Sequence, residues 1–327
     1  MVVMNKTLYK QIFKTIKSFQ NIVIARHIGV DPDAMASQMA LKRSIEETFK
    51  DKNVYAVGNG TIRFNYMGKP DKNVDFSKID NILLIVVDTP DRKRIDLGEL
   101  NHYEASIKID HHPFIEKTCD IEYIDDSKSS ASEMIYDMIL ETKMVINKEI
   151  ANLLFCGIVS DTNRFLFNNA KATTFQSVAE MITNFDLDIT KNYQNLYNRP
   201  FLEMQLLGYM ALNMQITPNK VGYIKVANEI ISKYQVDTVS CGSLINEFNY
   251  IEEILVWLTA TEDLKNNCIR ISIRSRGPVI NKIAEHYNGG GHRLASGARV
   301  STWEEVDSLI KELDKVSQAY LESEEVK

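Results

Sequence analysis

The run Ile82-Leu-Leu-Ile-Val-Val87 is apolar at every position and leads straight into Asp88. A strand with no polar side has to be covered on both faces, as happens inside a parallel sheet flanked by other layers. Parallel strands need crossover connections, and the flanking sequence supplies them. A helix is predicted over residues 5–18, with Leu8, Ile12, Phe13 and Ile16 in one stripe, followed by a strand at 21–26 that ends at His27. The segment His27-Ile-Gly-Val-Asp31-Pro-Asp33 then turns the chain into a second helix whose buried side holds Leu41, Ile45 and Phe49. Further strands are expected at 54–57, 106–110 and 122–124, with a helical connection between Asp88 and Ser106. Helices follow from Ser129 or Ser130 and over 151–159. This alternation gives an α/β fold with a largely parallel sheet over residues 1–190.

Residues 191–207, polar and aromatic with Asn192, Asn195, Asn198 and Pro200, read as a linker, and residues 208–327 differ in pattern. Segments 210–216 and 221–226 flank Pro218-Asn219-Lys220 as a hairpin, and 255–261 with 268–274 form another. In the last of these, Ile269, Ile271 and Ile273 alternate with Arg270, Ser272 and Arg274, so the polar face carries a basic stripe that Arg276 extends. A short helix with Ile280, Ile283 and Ala284, the run Asn288-Gly-Gly-Gly-His292, and a charged helix over 302–321 follow. The expectation is a smaller α/β domain with a mixed sheet and a cleft between the two domains.

A net charge of −6 opposes non-specific binding of long duplex nucleic acid, which requires a broad basic footprint. No uncharged apolar run reaches about 18 residues, so no membrane span is expected and the cytoplasm is the expected location. Cys119, Cys156, Cys241 and Cys268 are scattered without a CxxC pair, which reads as buried thiols rather than a zinc site or a disulfide framework.

The chemistry concentrates at element ends of the first domain. His27 ends a strand, Asp31 and Asp33 lie in the next turn, and Asp88 ends the apolar run. Asp110-His111-His112 forms a strand tip that Pro113 stops, and Asp161 ends a helix. Open α/β sheets bind ligands at the carboxyl ends of their strands. Each feature also has a plain structural use: Asp31 and Asp33 suit a turn and a helix cap, and Ser130 with Glu133 matches a capping box. Gathered together, however, two carboxylates about 4 Å apart repel by roughly 4 kcal/mol at an effective dielectric near 20, so cations are required. Four carboxylates neutralise two divalent ions, and imidazole with carboxylate but no thiolate suits manganese ahead of zinc, iron, cobalt or magnesium. Two ions in one such site are the arrangement used to hydrolyse phosphate esters. Gly289, Gly290 and Gly291 would let backbone approach a phosphate, with His292 and Arg274 as donors, although a flexible turn explains three glycines equally well.

Taken together, these residues resemble the DHH phosphoesterases, in the branch with a DHH-associated C-terminal domain. HIGVDPDAMAS is similar to the first motif of that family, VVDTPDR to the second, IDHHP to the third and GIVSDTNRF to the fourth. RSRGPVINKIAEHYNGGGHRLASG resembles the substrate motif of the associated domain. The resemblance implies that His27, Asp31 and Asp88 hold one manganese and that Asp33, Asp88, His111 and Asp161 hold the other, with Asp88 bridging. It further implies that His112 touches the scissile phosphate and that Asp110 orients an imidazole from behind the metals. Arg274, Ser275, Asn281, Gly290, Gly291 and His292 would bind the nucleotide and its terminal phosphate.

The size and two-domain plan resemble the nanoRNase and pAp-phosphatase branch. Its implied substrates are very short oligonucleotides, linear dinucleotides such as pApA and pGpG, and pAp, and its implied assembly is a homodimer. The segments of membrane-anchored cyclic-dinucleotide phosphodiesterases and the extra domains of the larger exonucleases are not expected. Hydrolysis of cyclic dinucleotides or of inorganic pyrophosphate, and a catalytically silent nucleotide sensor, are the competing readings. Two departures from the motifs stand out: Asn163 occupies a position where glycine is common, and LASG replaces an alanine pair.

Overall fold

In a computed structural model, which describes residues 2–325, the run Ile82–Val87 is a strand buried at every position. The strands around it are β1 (Asn21–His27), β2 (Asn53–Ala56), β3 (Ile82–Val87), β4 (Ile95–Asp96), β5 (Ala105–Asp110) and β6 (Ile121–Ile124). The sheet is ordered β2-β1-β3-β5-β6, with parallel pairing throughout, and β4 pairs antiparallel with the end of β1. From β1 the chain moves to one edge, and from β3 it moves to the other. The carboxyl ends of β1 and β3 therefore flank the point where strand order reverses, which is where open α/β sheets hold ligands. His27 and Asp88 occupy those two ends.

One face of this sheet is covered by helices α1 (Val2–Ser18), α2 (Pro32–Thr48), α3 (Ala131–Thr142) and α4 (Lys148–Asp161). Ile22, Ile24, Ile85 and Ile107 pack there with Ile12, Leu41, Ile135 and Leu154. The opposite face is covered differently. Val23, Ala25, Leu84 and Val86 meet Phe76, at the start of a 3-10 turn, and Leu100 and Cys119 from irregular segments. The helix expected between Asp88 and Ser106 is not formed; a 3-10 turn at Arg92–Arg94 and β4 take its place. Ile95, Leu97 and Leu100 cover the sheet from a chain that contains Pro90 and Gly98 and has no helical stripe.

Helix starts follow the sequence closely, with one displacement. Asp31 caps α2 and Pro32 opens it. Ser130 caps α3 by accepting the Glu133 N–H at 3.0 Å, but the Glu133 carboxylate reaches back to the Ser129 N–H and hydroxyl, one residue before the expected capping-box partner. Helices α5 (Ala172–Phe185) and α6 (Ile189–Tyr197) follow, and α7 (Phe201–Asn213) starts soon after. Most of residues 191–207 are thus helical, and the boundary between two compact units, at Asn198 and Arg199, falls inside this stretch. The inward sides are Asn192 and Leu196 in α6 and Leu206 and Met210 in α7, a four-residue spacing that the asparagines obscure.

The chain divides into two compact units, Met1–Asn198 and Arg199–Lys327. The second is built on β7 (Gln215–Ile216), β8 (Val221–Val226), β9 (Val256–Asp263), β10 (Cys268–Ser275), β11 (Gly290–His292) and β12 (Ala295–Val300). Its sheet is ordered β11-β12-β10-β9-β8-β7 and is mixed, because β8 and β9 are parallel while the other neighbours are antiparallel. The first expected hairpin is short, since residues 210–213 belong to α7. Helices α8 (Asn228–Lys233), α9 (Thr238–Ser243), α10 (Asn281–His286) and α11 (Trp303–Glu325) complete the unit. On β10, Ile269, Ile271 and Ile273 pack with Leu309 and Leu313 of α11, which leaves Arg270, Ser272 and Arg274 on the other face.

Behind His27 lies a buried ion pair. Arg26, fully buried, donates to the carbonyls of His27 and Asn59 and faces Asp96 of β4 at 3.4 Å, while Asp96 accepts the Asn59 N–H at 2.8 Å. Replacing Asp96 with alanine would leave the guanidinium buried and uncompensated. The expected loss is about 3–5 kcal/mol of unfolding free energy, read from urea denaturation of Asp96→Ala beside the parent protein.

Candidate metal centre

Each acidic or imidazole group at the carboxyl edge of the first sheet is aimed by a specific local contact. His27 Nδ1 lies 3.0 Å from its neighbour's carbonyl, that of Ile28, which places the ring proton there. Nε2 is thereby turned toward Asp31, at 3.4 Å, and Asp88, at 3.5 Å. The two uses foreseen for Asp31 coexist on different oxygens. Its Oδ1 caps α2 by accepting the Ala34 N–H, and its Oδ2 faces His27. Asp33 is fully buried and accepts the N–H groups of Ala131 and Ser132, at 2.8 and 3.0 Å, at the start of α3.

Asp88 is shared by everything else. It is buried at φ +50, in the left-handed region that aspartate tolerates better than most residues. His111 Nε2 lies 3.3 Å from its Oδ1 and 3.1 Å from Asp161 Oδ2 at the end of α4. His112 Nδ1 also comes within 3.6 Å of Asp88, but its close partner is Asp110, at 2.7 Å. Three donor groups result: His27 with Asp31 and Asp88, Asp88 with His111 and His112, and Asp33 with His111 and Asp161. Within each, the donor atoms lie within 4.8 Å of one another. The structure thus brings together every residue expected to hold metal. It also gives the two histidines different close partners, since His111 joins Asp88 to Asp161 while His112 is held by Asp110.

Loss of solvation, with repulsion from Asp161 and Asp88, raises Asp33 well above the usual carboxylate range. Loss of solvation likewise raises Asp161 to about 6. For Asp88 the same loss is outweighed by His111 and His27, which hold it well below that range. For His27 the loss of solvation would favour the neutral ring, yet Asp31 and Asp88 carry it up to about 11. Without a cation, therefore, the carboxylates draw protons onto the imidazoles. Asp88 Oδ1 is buried without a hydrogen bond of good geometry, and the donors are carboxylate and imidazole only, so the set fits a hard or borderline divalent ion.

Three supporting residues escaped the sequence reading. A Cβ on Gly157 of α4 would fall 2.0 Å from Ser132 Oγ and 2.4 Å from Asp33 Oδ1, so only glycine lets α3 and Asp33 close on α4; its visible signal was a glycine inside a helix. Lys108 is buried beside Asp110, and a charged residue in an otherwise alternating strand was its signal. Asn169 donates to the carbonyls of Ser129 and Asp161, and nothing in the local pattern marks it. Asn163, noted as a departure, has φ +45 and opens three successive left-handed residues with Arg164 and Phe165. Asparagine is the residue after glycine best suited to that conformation.

Residues 21–158 match the DHH family N-terminal domain, and residues 220–319 match the DHHA1 domain. The bifunctional oligoribonuclease and PAP phosphatase NrnA of Bacillus subtilis (strain 168) is 33% identical over 307 residues, spanning 93% of this chain and 97% of that protein. The chain belongs to the DHH family. The probable bifunctional oligoribonuclease and PAP phosphatase NrnA of Streptococcus mutans is 32% identical, over 94% of this chain and 98% of that one. An exopolyphosphatase-related protein from Bacteroides fragilis has the same fold, with a TM-score of 0.82 at 22% identity over 95% of this chain and 98% of that one. The DHH match runs from the start of β1 into α4, so it spans every residue of the donor groups except Asp161, three residues beyond its end.

In the DHHA1 unit Arg274 and His292 both pair with Ala295 and so share a row of the sheet. Arg274 stands on the polar face of β10, its Nε donating to Asn246 at 3.0 Å. Ser275 does not join it. Strand alternation turns Ser275 to the buried face, where its hydroxyl donates to the Pro278 carbonyl at 2.6 Å. Asn281 opens α10 with a buried Oδ1 that makes no hydrogen bond, and His292 ends β11 exposed. Gly289 and Gly291 have neighbouring backbone where a Cβ would sit, whereas nothing lies within 4 Å of one built on Gly290.

Gly157→Ala is expected to displace Asp33, lowering manganese affinity by about 10-fold or more in calorimetric titration and the melting temperature with it. The raised His27 and Asp161 also fix a sign for pH. Stability from a group raised on folding is full below its unfolded value and is lost as pH climbs through the folded one. The metal-free protein should therefore melt lower as pH rises from about 6.5 toward 9, inside the His27 window that closes near 11. Added manganese should raise the melting temperature most at the alkaline end.

Proposed function

We propose that this protein is a manganese-dependent phosphoesterase that hydrolyses very short oligonucleotides, including linear dinucleotides, to mononucleotides and removes the 3′ phosphate of pAp. The observation that carries the reading is the convergence of carboxylates and imidazoles on one buried aspartate, Asp88, at the sheet's switch point. The names of the two NrnA relatives, each similar over nearly the whole chain, supply the substrate class.

In this reading His27, Asp31 and Asp88 would hold one ion and Asp33, Asp88, His111 and Asp161 the second, with Asp88 common to both sets. Two such ions would activate a water and stabilise the phosphoryl oxygens. Asp110 accepts a hydrogen bond from His112 Nδ1, and His112 would contact the scissile phosphate. Arg274, Asn281, Gly290, Gly291 and His292 take the nucleotide and its terminal phosphate. Ser275 contributes by shaping the turn that follows Arg274. No helix among the described residues is long and apolar enough to cross a membrane. We place the enzyme in the cytoplasm as a homodimer.

Purified protein with manganese, offered pApA, pGpG, pAp, a cyclic dinucleotide and pyrophosphate, tests the reading. Mononucleotide release from the linear dinucleotides and AMP from pAp, both abolished by Asp88→Ala, are expected. Turnover of pyrophosphate alone, or nucleotide binding without turnover, would replace it with a pyrophosphatase or a sensor. His292→Ala should cut nucleotide turnover at least about 10-fold while manganese affinity stays within about twofold, because a substrate contact outside the donor groups leaves the metal free energy unchanged.

A further inference from the structure

Lys108 lies in β5 between Ile107 and Ile109, with 1% of its surface exposed. Burying an ammonium is costly, and an apolar residue of similar shape serves stability as well or better unless the charge has a task. Its neighbours indicate the task. Nζ donates to the Pro90 carbonyl at 3.0 Å and stands 3.2 Å from Asp110 Oδ2. Pro90 closes the turn that begins at Asp88, whose backbone is held at φ +50. Asp110, fully buried, uses its other oxygen on the His112 ring at 2.7 Å. One ammonium therefore ties the turn carrying the shared aspartate to the carboxylate that aims the second histidine, across the adjacent strands β3 and β5.

We infer that Lys108 is a positioning residue of this site. Its hydrogen bond to Pro90 anchors the Asp88 turn, and its approach to Asp110 Oδ2 holds that carboxylate with Oδ1 facing His112 Nδ1, which sets the ring direction. The inference rests on the phosphoesterase reading for its kinetic consequence but not for its structural one. The experiment compares the full-length wild type with Lys108→Met, Lys108→Arg and the double variant Lys108→Met/Asp110→Asn. Each is measured for kcat and KM on pApA with manganese, for melting temperature, and for the low-field His112 imidazole proton by NMR in the metal-free protein.

For Lys108→Met, kcat should fall about 10- to 100-fold, the range for residues that orient ligands from behind. KM should change less than about threefold, and the His112 proton signal should disappear. Lys108→Arg, which keeps the charge, should recover part of kcat and the signal; it also decides the matter if Lys108→Met does not fold. The double variant removes both buried charges, so it should regain melting temperature without regaining kcat. A Lys108→Met protein with kcat within about twofold of wild type and an unchanged His112 signal would overturn the inference, as would a double variant that regains both properties. Should the wild type turn over no substrate, the phosphoesterase reading falls, and the His112 signal alone still decides the role of Lys108.

Discussion

Mutual repulsion among carboxylates at the carboxyl edge of one parallel sheet is the constraint that organises this molecule. Asp31, Asp33, Asp88, Asp110 and Asp161 all lie there, and each has a source of positive potential beside it. Asp31 takes an N–H at the start of α2, and Asp33 takes two at the start of α3. Asp88 and Asp161 share His111, and Asp110 has Lys108. The helices are thus placed as much by the charges they neutralise as by the apolar faces they cover. Even Gly157, which has no side chain, takes part by letting α3 and α4 approach closely enough to enclose Asp33.

Much of this was legible in the sequence, because strands and charges announce themselves locally. The apolar run ending at Asp88, the Asp110-His111-His112 tip and the Asp31-Pro32 turn each place a donor at an element end without reference to the rest of the chain. The illegible parts depend on contacts between distant segments. Lys108, Gly157 and Asn169 acquire meaning only once β5, α3 and α4 are packed. The connection after Asp88 could not be read as irregular from alternation alone, since a loop that covers a sheet buries residues at no fixed period. In the second unit, the period of two that correctly sorted Arg274 from Ile273 should also have separated Ser275 from Arg274.

The two units treat polar groups in different ways. In the first, Asp88 Oδ1, Asp110 Oδ2 and Ser132 Oγ are buried without a hydrogen bond, so its unsatisfied polar atoms gather where the carboxylates and imidazoles meet. In the second, Arg274 is anchored on one side by Asn246, Asn281 keeps a carbonyl oxygen without a hydrogen bond, and Gly290 is glycine without steric need. In the proposed reading, a change in this second unit would alter what is bound while the donor groups around Asp88 stay as they are.

The irregular chain after Asp88 has a further consequence. Had a helix started there, its first N–H groups would have pointed at the Asp88 carboxylate, as those of α3 point at Asp33, and its internal bonding would have consumed the Pro90 carbonyl. Asp88 would then be well solvated by backbone and a correspondingly poor ligand. The loop instead withholds that solvation, so the electron density of the shared aspartate remains available to whatever cation the neighbouring imidazoles and carboxylates can jointly hold.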